Sequence, residues 1–500
     1  MSTHHLVLLH APSLMDFRER DYRHWPMCNT VATSPIFEYY PLGFITLMSH
    51  LERHGFSVRI VNMAVKMTKS RRFQPASLIE KFRPLAFGID LHWAPHADGA
   101  MEMAALCKRI HPDIPVILGG FTASYFHEEI IRDPNVDFVL RGDSTEGPLL
   151  DLMRCLESKR LPESVPNLTW KHDGQVRTNP FSYKPELLDI RVDFPLLRSH
   201  MFRDKDLRGN LLTGYHWPVY CFNTVLWCRG CKFRCVTCGG SNWAQRRPAL
   251  AYRDPEAVAE EMATTQGMTF FHVGLPGDVR MGDWRALFAA LKKRKIRRAP
   301  GLELFAAADE EFLREVASLG ALPELAMSPE SHDEEIRRAF GRCFSNEMME
   351  KNIASFLKMG GKVRLFFMTG LPLQTAQSVR QTLEYCERLF NKFSNYTSHF
   401  DMTLASLGPF VDPGSPAFEF PEAHGYRLFA RTLAEHRKAM RHLHWKEALA
   451  FETEAMERAE IVDITLEACE KLCHMRRQFG ALKPRHAEYY LRELEKSKPD

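Results

Sequence analysis

Short apolar runs alternate with segments of helical periodicity along the first third of the chain. The apolar runs predict strands at 5–10, 57–62, 85–91, 116–118 and 136–140, and the periodic segments predict helices ending near 51 and at 97–110, 128–132 and 148–156. Largely apolar strands that alternate with helices are typical of a parallel sheet covered on both faces. Residues 1–155 are therefore predicted to form a doubly wound, Rossmann-like α/β domain.

The same alternation returns over residues 217–407. Strands are predicted at 219–227, 269–274, 302–306, 324–328, 362–368 and 399–407, with helices at 254–264, 284–293, 310–318, 345–359 and 375–390. Six strands alternating with helices predict a partial parallel (β/α)6 barrel. In such a barrel the active site lies at the carboxyl ends of the strands.

Two other regions complete the chain. Residues 156–216 are predicted to be a connector with a β-hairpin, because two short strands flank the turn sequence His172-Asp173-Gly174. Residues 408–500 are predicted to be a helical C-terminal domain, with helices at 428–441 and 453–473 and Thr453 as an N-cap.

Composition narrows the class of protein. The 66 Lys plus Arg and 62 Asp plus Glu residues give a net charge of +4, which is too balanced to indicate a nucleic-acid-binding protein. The sequence shows no signal peptide and no apolar stretch of about 18 residues, so no transmembrane segment is expected. Twelve cysteines without an export signal indicate reduced thiols and a cytoplasmic protein.

Four of the twelve cysteines fall within residues 228–240, and three of them have the spacing Cys231-x3-Cys235-x2-Cys238. Thiolates this close on one loop can bind an iron–sulfur cluster or a metal ion. The alternative is a structural zinc site that also uses Cys228. Zinc sites typically use two cysteine pairs with a longer spacer, so this loop is cramped for one.

Polar and glycine residues follow several predicted barrel strands. Gly277 and Asp278 follow the second strand, Glu330 and Ser331 the fourth, and Gly370 the fifth. Carboxylates at this edge can accept hydrogen bonds from an ammonium group or from ribose hydroxyls. Taken singly, each signal is weak, because Asp278 is more often a turn residue that precedes a helix and Glu330 more often a solvated side chain.

Three loops at the predicted carboxyl edge of the first sheet are rich in glycine. They contain Pro41-Leu42-Gly43, Gly119-Gly120-Phe121-Thr122 and Arg141-Gly142-Asp143-Ser144-Thr145-Glu146. Ligands of doubly wound sheets bind at this edge, and glycines permit close approach of the backbone. His92 and His96 end the third strand and could face the same ligand. The alternative is a set of ordinary strand-to-helix turns with solvated histidines.

These motifs resemble those of the radical S-adenosylmethionine (SAM) enzymes that carry a cobalamin-binding domain, over about residues 1–410. The resemblance implies that Cys231, Cys235 and Cys238 hold a [4Fe–4S] cluster whose open iron binds SAM. It implies SAM contacts at Phe233, Gly277, Asp278, Glu330, Ser331 and Gly370. It implies cobalamin contacts at Pro41, Leu42, Gly43, His92, Gly119, Gly120, Phe121, Thr122, Arg141, Gly142, Asp143 and Glu146.

The sequence departs from that family's pattern at four places. Thr237 stands before the last cysteine, where an aromatic residue is usual, and Leu373-Gln374-Thr375 replaces the usual Gly-Glu-Thr after Gly-Leu-Pro. Thr122 replaces a common histidine in the Gly-Gly loop. The Asp-x-His-x-x-Gly motif is absent, so histidine ligation of cobalt from that motif is not expected.

The resemblance implies a radical SAM enzyme, most simply a cobalamin-dependent C-methyltransferase acting on an unactivated carbon. A second hypothesis is a radical SAM rearrangement, cyclisation or carbon–carbon coupling without methyl transfer. A third is a non-catalytic metal-binding protein. The expected partners are a small-molecule or lipid substrate and an electron donor such as flavodoxin or ferredoxin. No individual catalytic residue is predicted.

Overall fold

The computed structural model of the 500-residue chain describes residues 4–24, 41–185, 192–206, 222–223, 225–231, 233–239, 251–264, 271–277, 284–297, 299–408 and 410–498. Side chains of 222, 223, 229 and 271–277 are outside this description.

The N-terminal half contains a seven-stranded sheet in the order β2-β1-β3-β4-β5-β6-β7. Its strands are β1 (Leu6–His10), β2 (Val58–Asn62), β3 (Ala86–Asp90), β4 (Val116–Gly119), β5 (Phe138–Leu140), β6 (Leu168–His172) and β7 (Gln175–Thr178). Its helices are α1 (Leu42–Arg53), α2 (Met63–Lys69), α3 (Pro75–Ile79), α4 (Ala97–Ile110), α5 (Phe121–Tyr125), α6 (His127–Ile130), α7 (Glu146–Glu157) and α8 (Phe194–Arg203).

Strands β1 to β5 are parallel, which confirms the doubly wound sheet. The predicted hairpin forms, with positive φ at both turn residues, Asp173 (49°) and Gly174 (76°). This geometry suits a tight two-residue turn. Strand β6 pairs antiparallel with β5, so the hairpin extends the first sheet beyond residue 155.

The central sheet has the order β15-β14-β13-β12-β11-β8, and all its pairs are parallel. Its strands are β8 (Phe222–Asn223), β11 (Phe271–Gly277), β12 (Gly301–Leu304), β13 (Glu324–Glu330), β14 (Lys362–Thr369) and β15 (Phe400–Ser406), and β9 (Cys228–Arg229) pairs separately with β10 (Ala251–Tyr252). The helices are α9 (Pro255–Thr264), α10 (Trp284–Lys293), α11 (Glu310–Ala317), α12 (Glu334–Phe340), α13 (Asn346–Lys358) and α14 (Ala376–Lys392).

This arrangement confirms the predicted partial barrel. Along β14, Val363, Leu365 and Phe367 are buried, and Arg364 and Phe366 alternate with them as half-buried residues. Because helices cover the outer face of a β/α barrel, the buried set faces the helices and the alternate set faces the lumen.

The C-terminal segment is less uniformly helical than predicted. It contains α15 (Pro416–Glu419), β16 (Tyr426–Leu428), α16 (Leu433–Met440), α17 (Trp445–Ala448), β17 (Phe451–Thr453), α18 (Arg458–Gln478) and α19 (Pro484–Glu495). The predicted N-cap role of Thr453 is wrong, because this residue ends β17 and pairs with Tyr426. Backbone pairing with a distant strand overrides the local helical pattern here.

Helix α18 runs along the free edge of β15. The Cys469 thiol lies 3.5 Å from the Leu404 carbonyl oxygen, and the Arg476 guanidinium binds both oxygens of Asp401 at 2.8 and 2.7 Å. An uncovered edge strand exposes backbone groups that invite non-native pairing. The helix therefore protects the open side of the barrel. Among the described residues, no helix is long and apolar enough to cross a membrane.

Candidate functional site

The cysteine loop is fixed by its backbone at both sides. The Val236 N–H donates to the carbonyl of Phe340 at the end of α12 (3.1 Å), and the Val236 carbonyl accepts from Ala417 N–H in α15 (2.8 Å). The Thr237 carbonyl accepts from Asp412 N–H (3.3 Å), and Thr237 itself is buried. Thr237 thus lies where the C-terminal segment is hydrogen-bonded to the cysteine loop.

Two glycines allow this close packing. A Cβ on Gly239 would lie 2.5 Å from the Pro413 carbonyl oxygen, and a Cβ on Gly341 would lie 3.0 Å from the Cα of Cys235. Gly341 also has a φ of +113°, a conformation that favours glycine. The loop therefore fits tightly between the end of α12 and the turn at 412–413.

The three predicted ligands differ in burial. Cys235 is buried, whereas Cys231 and Cys238 are half-buried. Burial raises the pKa of the Cys235 thiol to about 12, and the nearby Arg342 opposes this shift. Burial likewise raises the pKa of Cys228 to about 11, and Cys228 lies in β9 opposite Tyr252. Bound iron would have to displace the thiol protons.

The spacing of the thiols fits a cluster better than a single ion. A single zinc ion binds each thiolate at about 2.3 Å, so its sulfurs lie within about 4.6 Å of one another. Among the described residues, the three sulfurs do not form such a set within 4.8 Å. A [4Fe–4S] cluster distributes its thiolates over several irons and needs wider spacing.

A buried ion pair lies beside the loop. Arg342 Nη2 is 3.1 Å from Glu330 Oε1, and the guanidinium lies 4.2 Å from the centre of the Phe305 ring and 5.4 Å from that of Phe233. The two aromatic rings meet edge to face at 6.0 Å. Phe233 and Glu330, two of the SAM contacts that the resemblance implies, therefore lie against the same guanidinium, whose charge also acts on Cys235.

Glu330 retains capacity to bind. Its Oε2 is buried and has no hydrogen-bond partner among the described residues. Burial raises its pKa to about 7, against the attraction of Arg342. Its φ of +64° places a non-glycine residue in a strained conformation, as at many functional sites. An ammonium or hydroxyl group of SAM would satisfy the free oxygen.

The other predicted SAM residues have different surroundings. Ser331 Oγ accepts from the N–H of Asp333, the N-cap residue of α12, at 3.2 Å. Gly277 is the last residue of β11, and Asp278 lies outside the described residues. Gly370 contacts the C-terminal segment, because its carbonyl accepts from the Tyr426 hydroxyl at 2.9 Å.

Sequence reasoning missed Arg342 and Glu303. Arg342 follows the glycine that ends α12, and Glu303 lies in β12, where Ser328 Oγ donates to its carboxylate at 2.8 Å. Neither belongs to a local motif. Glu303 does interrupt the apolar strand Leu302-Glu303-Leu304, which is the one sequence signal that was available.

At the edge of the first sheet, two of the predicted cobalamin loops touch each other. A Cβ on Gly120 would lie 2.7 Å from the Leu91 carbonyl oxygen, and Gly120 has a φ of +116°. Thr122 Oγ1 donates to the His92 carbonyl at 3.0 Å, and the rings of His92 and Phe121 are 4.5 Å apart. Gly119 pairs with Asp90 at the ends of β4 and β3.

The third loop, residues 141–146, joins this edge. Gly142 N–H donates to Ser124 Oγ in α5 at 2.8 Å, and Thr46 in α1 donates to Glu146 at 2.8 Å. The latter contact ties the loop to the first turn of α1, where Pro41, Leu42 and Gly43 lie.

The two charged residues that begin the third loop differ. The Arg141 side chain points towards the β6–β7 hairpin. Its guanidinium carbon lies over the ring of Phe181, 5.6 Å from the ring centre. Asp143 is exposed in the same loop.

The residues at this edge leave room and polar capacity for a ligand. The buried hydroxyl of Ser144 has no hydrogen-bond partner among the described residues. A Cβ on Gly43 would meet nothing within 4 Å. Both observations fit a bulky cofactor with polar side groups above the loops.

His96 is buried in a cluster with His10 and Asp90, two partners that the sequence did not predict. His10 Nδ1 lies 2.9 Å from Asp90 Oδ2, and the rings of His10 and His96 are 5.5 Å apart. Burial and the neighbouring His10 lower the pKa of His96 to about 3. The two histidines and Asp90 end strands or begin α4, so this cluster supports the His92 loop from below.

The short helix α15 connects the carboxyl edge of the first sheet to the cysteine loop. The Tyr125 hydroxyl at the end of α5 donates to Glu419 at 2.6 Å, and its ring meets that of Phe418 at 5.5 Å. Both partners belong to α15, whose Ala417 holds the cysteine loop. The cobalamin-type loops and the cysteine loop therefore face a common region.

Comparisons with known proteins identify two matching family models. Residues 29–148 match the B12 binding domain, and residues 225–386 match the Radical SAM superfamily. An uncharacterized methyltransferase of Pyrococcus horikoshii is 25% identical over 71% of this chain and 75% of its own. Cytidylyl-2-hydroxyethylphosphonate methyltransferase of Streptomyces wedmorensis is 23% identical over 67% of this chain and 69% of its own.

Solved structures share the fold. The radical SAM methyltransferase TsrM from Kitasatospora setae, with tryptophan and a SAM analogue bound, superposes with a TM-score of 0.63 at 14% identity over 99% of both chains. The cobalamin-dependent SAM radical enzyme OxsB superposes with a TM-score of 0.60 at 12% identity, over 98% of this chain and 72% of its own.

Proposed function

The chain is a radical SAM enzyme with a B12-binding domain, and we propose that it methylates an unactivated carbon of a small molecule in a cobalamin-dependent reaction. Its cofactors are a [4Fe–4S] cluster, SAM and cobalamin. The observation that carries the proposal is the short link through α15 between the cobalamin-type loops and the cysteine loop. Two cofactors can serve one substrate only if their sites share one region.

The residues of the chain have distinct tasks. Cys231, Cys235 and Cys238 would hold the cluster, and the free Oε2 of Glu330 would accept a hydrogen bond from SAM. Loops 119–122 and 141–146 and the start of α1 would cradle cobalamin. When bound, these cofactors supply a carbon-centred radical and a transferable methyl group. The protein orients the reactants and excludes water.

Arg342 has a positioning task. It holds Glu330 in place through one oxygen and is itself enclosed by Phe233 and Phe305. A cation next to a cluster of thiolates also offsets part of their negative charge.

Anaerobic reconstitution tests the proposal. Wild-type protein should gain broad visible absorbance that is lost when Cys231, Cys235 or Cys238 becomes alanine, whereas Cys228→Ala should retain it. The purified protein should retain cobalamin. With substrate and a reductant such as flavodoxin or ferredoxin, S-adenosylhomocysteine and 5′-deoxyadenosine should form together. Zinc binding alone would contradict the enzyme assignment.

A second function is favoured by one relative. Anaerobic magnesium-protoporphyrin IX monomethyl ester cyclase of Synechocystis is 27% identical over 32% of this chain and 30% of its own. Formation of 5′-deoxyadenosine without S-adenosylhomocysteine would support such a rearrangement, cyclisation or carbon–carbon coupling instead of methylation.

A further inference from the structure

Glu303 lies inside the barrel beside the SAM site. Its neighbours Leu302 and Leu304 are buried against the outer helices, so the Glu303 side chain points to the opposite face. In register, Glu303 is next to Ala326, which is next to Arg364 on β14. Residues paired across a sheet share a face, so Glu303 and Arg364 both face the lumen.

The charged residues that pair across these strands, Glu303, Arg364 and Asp401, differ in their partners. Arg364 Nη2 is 3.3 Å from Glu324 Oε1, and Asp401 is bound by Arg476 through two hydrogen bonds. Glu303 accepts one hydrogen bond, from Ser328, and among the described residues no cation lies within 4.0 Å of its carboxylate. The charges of Arg364 and Asp401 are neutralised by direct ion pairs, whereas among the described residues the Glu303 carboxylate has only the more distant charge of Arg342, which it shares with Glu330.

The position of Glu303 suits a substrate contact. Phe305 follows two residues later on the same face and meets Phe233 of the cysteine loop. Two residues of a strand span about 7 Å. Glu303 is half-buried, and because it lies inside the barrel, its exposed part faces the lumen.

The rest of this lumen face is largely apolar. Phe366 and Met368 follow Arg364 on β14 and are half-buried. Across from Phe366, the buried Thr403 Oγ1 has no hydrogen-bond partner among the described residues. Among the described residues, this part of the lumen thus offers an apolar wall, the unpaired hydroxyl of Thr403 and the carboxylate of Glu303, and the nearby cation Arg342 is paired with Glu330.

We propose that Glu303 is a substrate-binding residue that accepts a hydrogen bond from an N–H or O–H group of the substrate. The site then selects molecules with an apolar or aromatic body and a neutral or cationic donor group. It disfavours molecules that place a phosphate or phosphonate there, because two carboxylates share one arginine. This inference rests on the proposed function, since it places the substrate in the barrel below SAM.

Matched aromatic probes test this selectivity. Benzamidine carries a cationic pair of N–H donors on an aromatic ring, and benzylphosphonate carries an anion on a similar ring. Binding to the SAM-saturated, cluster- and cobalamin-loaded protein is measured anaerobically by isothermal calorimetry. Saturating SAM covers Glu330, and Glu324 and Asp401 are paired with arginines. Among the described residues of the lumen, Glu303 is therefore the carboxylate that remains for a probe. Benzamidine should bind, and benzylphosphonate should bind at least about tenfold more weakly.

Two variants locate the contact. Glu303→Gln keeps the shape and the hydrogen bond from Ser328 but removes the charge, and should weaken benzamidine binding about tenfold or more. Glu324→Gln is the matched control, because that carboxylate is paired with Arg364, and should bind benzamidine as the wild type does. Ser328→Ala leaves the charge but loosens its orientation, and should cause a smaller loss than Glu303→Gln.

Three outcomes would overturn the inference: no benzamidine binding to the wild type, equal binding of both probes, or equal binding to the wild type and Glu303→Gln. Probe binding needs no electron donor and no turnover. A protein that binds benzamidine through Glu303 but forms no S-adenosylhomocysteine would refute the proposed methyl transfer and leave the contact intact.

Discussion

Asp412 is a half-buried residue whose carboxylate Oδ2 accepts a hydrogen bond from Gly239 N–H in the cysteine loop at 3.2 Å. Burial raises its pKa from 3.8 to about 6, although that hydrogen bond opposes the shift. In the unfolded chain the carboxyl group ionises at the lower value. Folding therefore costs more free energy as the pH rises from about 4 to about 6, because the ionised form must then be buried.

Replacing Asp412 by asparagine should remove this pH dependence. Asparagine keeps a carbonyl oxygen for Gly239 and carries no charge. Relative to the variant, the wild type should lose stability by roughly 3 kcal/mol between pH 4 and pH 6, following a shift of about two pKa units. Urea unfolding of both proteins at several pH values measures the difference. Parallel stability curves would show that Asp412 is not buried as described.

Single residues also show what the sequence reveals. The sequence predicts the three cysteines and Glu330 as site residues, because short spacings and strand ends carry their signal. It does not predict Arg342, because the role of this residue arises when the end of α12 meets the cysteine loop at Gly341. Contacts of this kind depend on the packing of elements that are far apart in the chain.

At the scale of elements, helix α16 docks on α4 through four charged residues. Arg437 and Arg441 of α16 bind Asp98 and Glu102 of α4 at distances between 2.7 and 3.3 Å. The Asp98 side chain is 2% exposed, whereas that of Glu102 is 38% exposed. The ion pairs of Asp98 and Glu102 have similar distances. They should nevertheless contribute differently to the free energy of unfolding, because their burial differs.

The two conservative amide variants separate these energies. Asp98→Asn leaves two arginines facing a neutral buried group and should destabilise the protein by about 3 kcal/mol. Glu102→Gln should cost less than about 1 kcal/mol, because water screens this pair. Chemical denaturation gives both values, and the Glu102 effect should fall further in high salt. Equal losses would mean that α16 does not bury Asp98.

The elements of the two sheets were largely predictable, because each strand carries its own apolar run. The C-terminal segment was harder. Residues 426–428 and 451–453 form strands only because they pair with each other, about 25 positions apart. The predicted helix over 453–473 instead begins at Arg458.

At the scale of the whole molecule, residues 410–420 connect three regions. Ala417 N–H reaches the cysteine loop, Glu419 reaches α5 of the first domain, and Phe418 lies in one apolar cluster with residues of both sheets. The C-terminal segment is thus a structural bridge between the cysteine loop and the first domain, the two regions that we propose bind the cofactors. Local sequence patterns cannot reveal a role of this kind, because it depends on where both sheets end.

Ala417→Pro should loosen this bridge at one point. Ala417 is the second residue of α15, where proline is compatible with the helix, but its ring removes the N–H that binds the Val236 carbonyl. The cysteine loop then loses one of its anchors. We expect faster loss of iron to a chelator from the reconstituted cluster, by about fivefold for a hydrogen bond of about 1 kcal/mol.

Arg485→Pro is the matched control for this bridge. Arg485 is the second residue of α19, is exposed, and lies far along the chain from the cysteine loop. It should leave the rate of iron loss unchanged, and circular dichroism should show the same helix content for both variants. If both variants lose iron at the wild-type rate, the cluster loop is held without the C-terminal segment. If Ala417→Pro alone releases iron faster, the stability of the cluster depends on a contact some 180 residues away in the chain, between Val236 and Ala417.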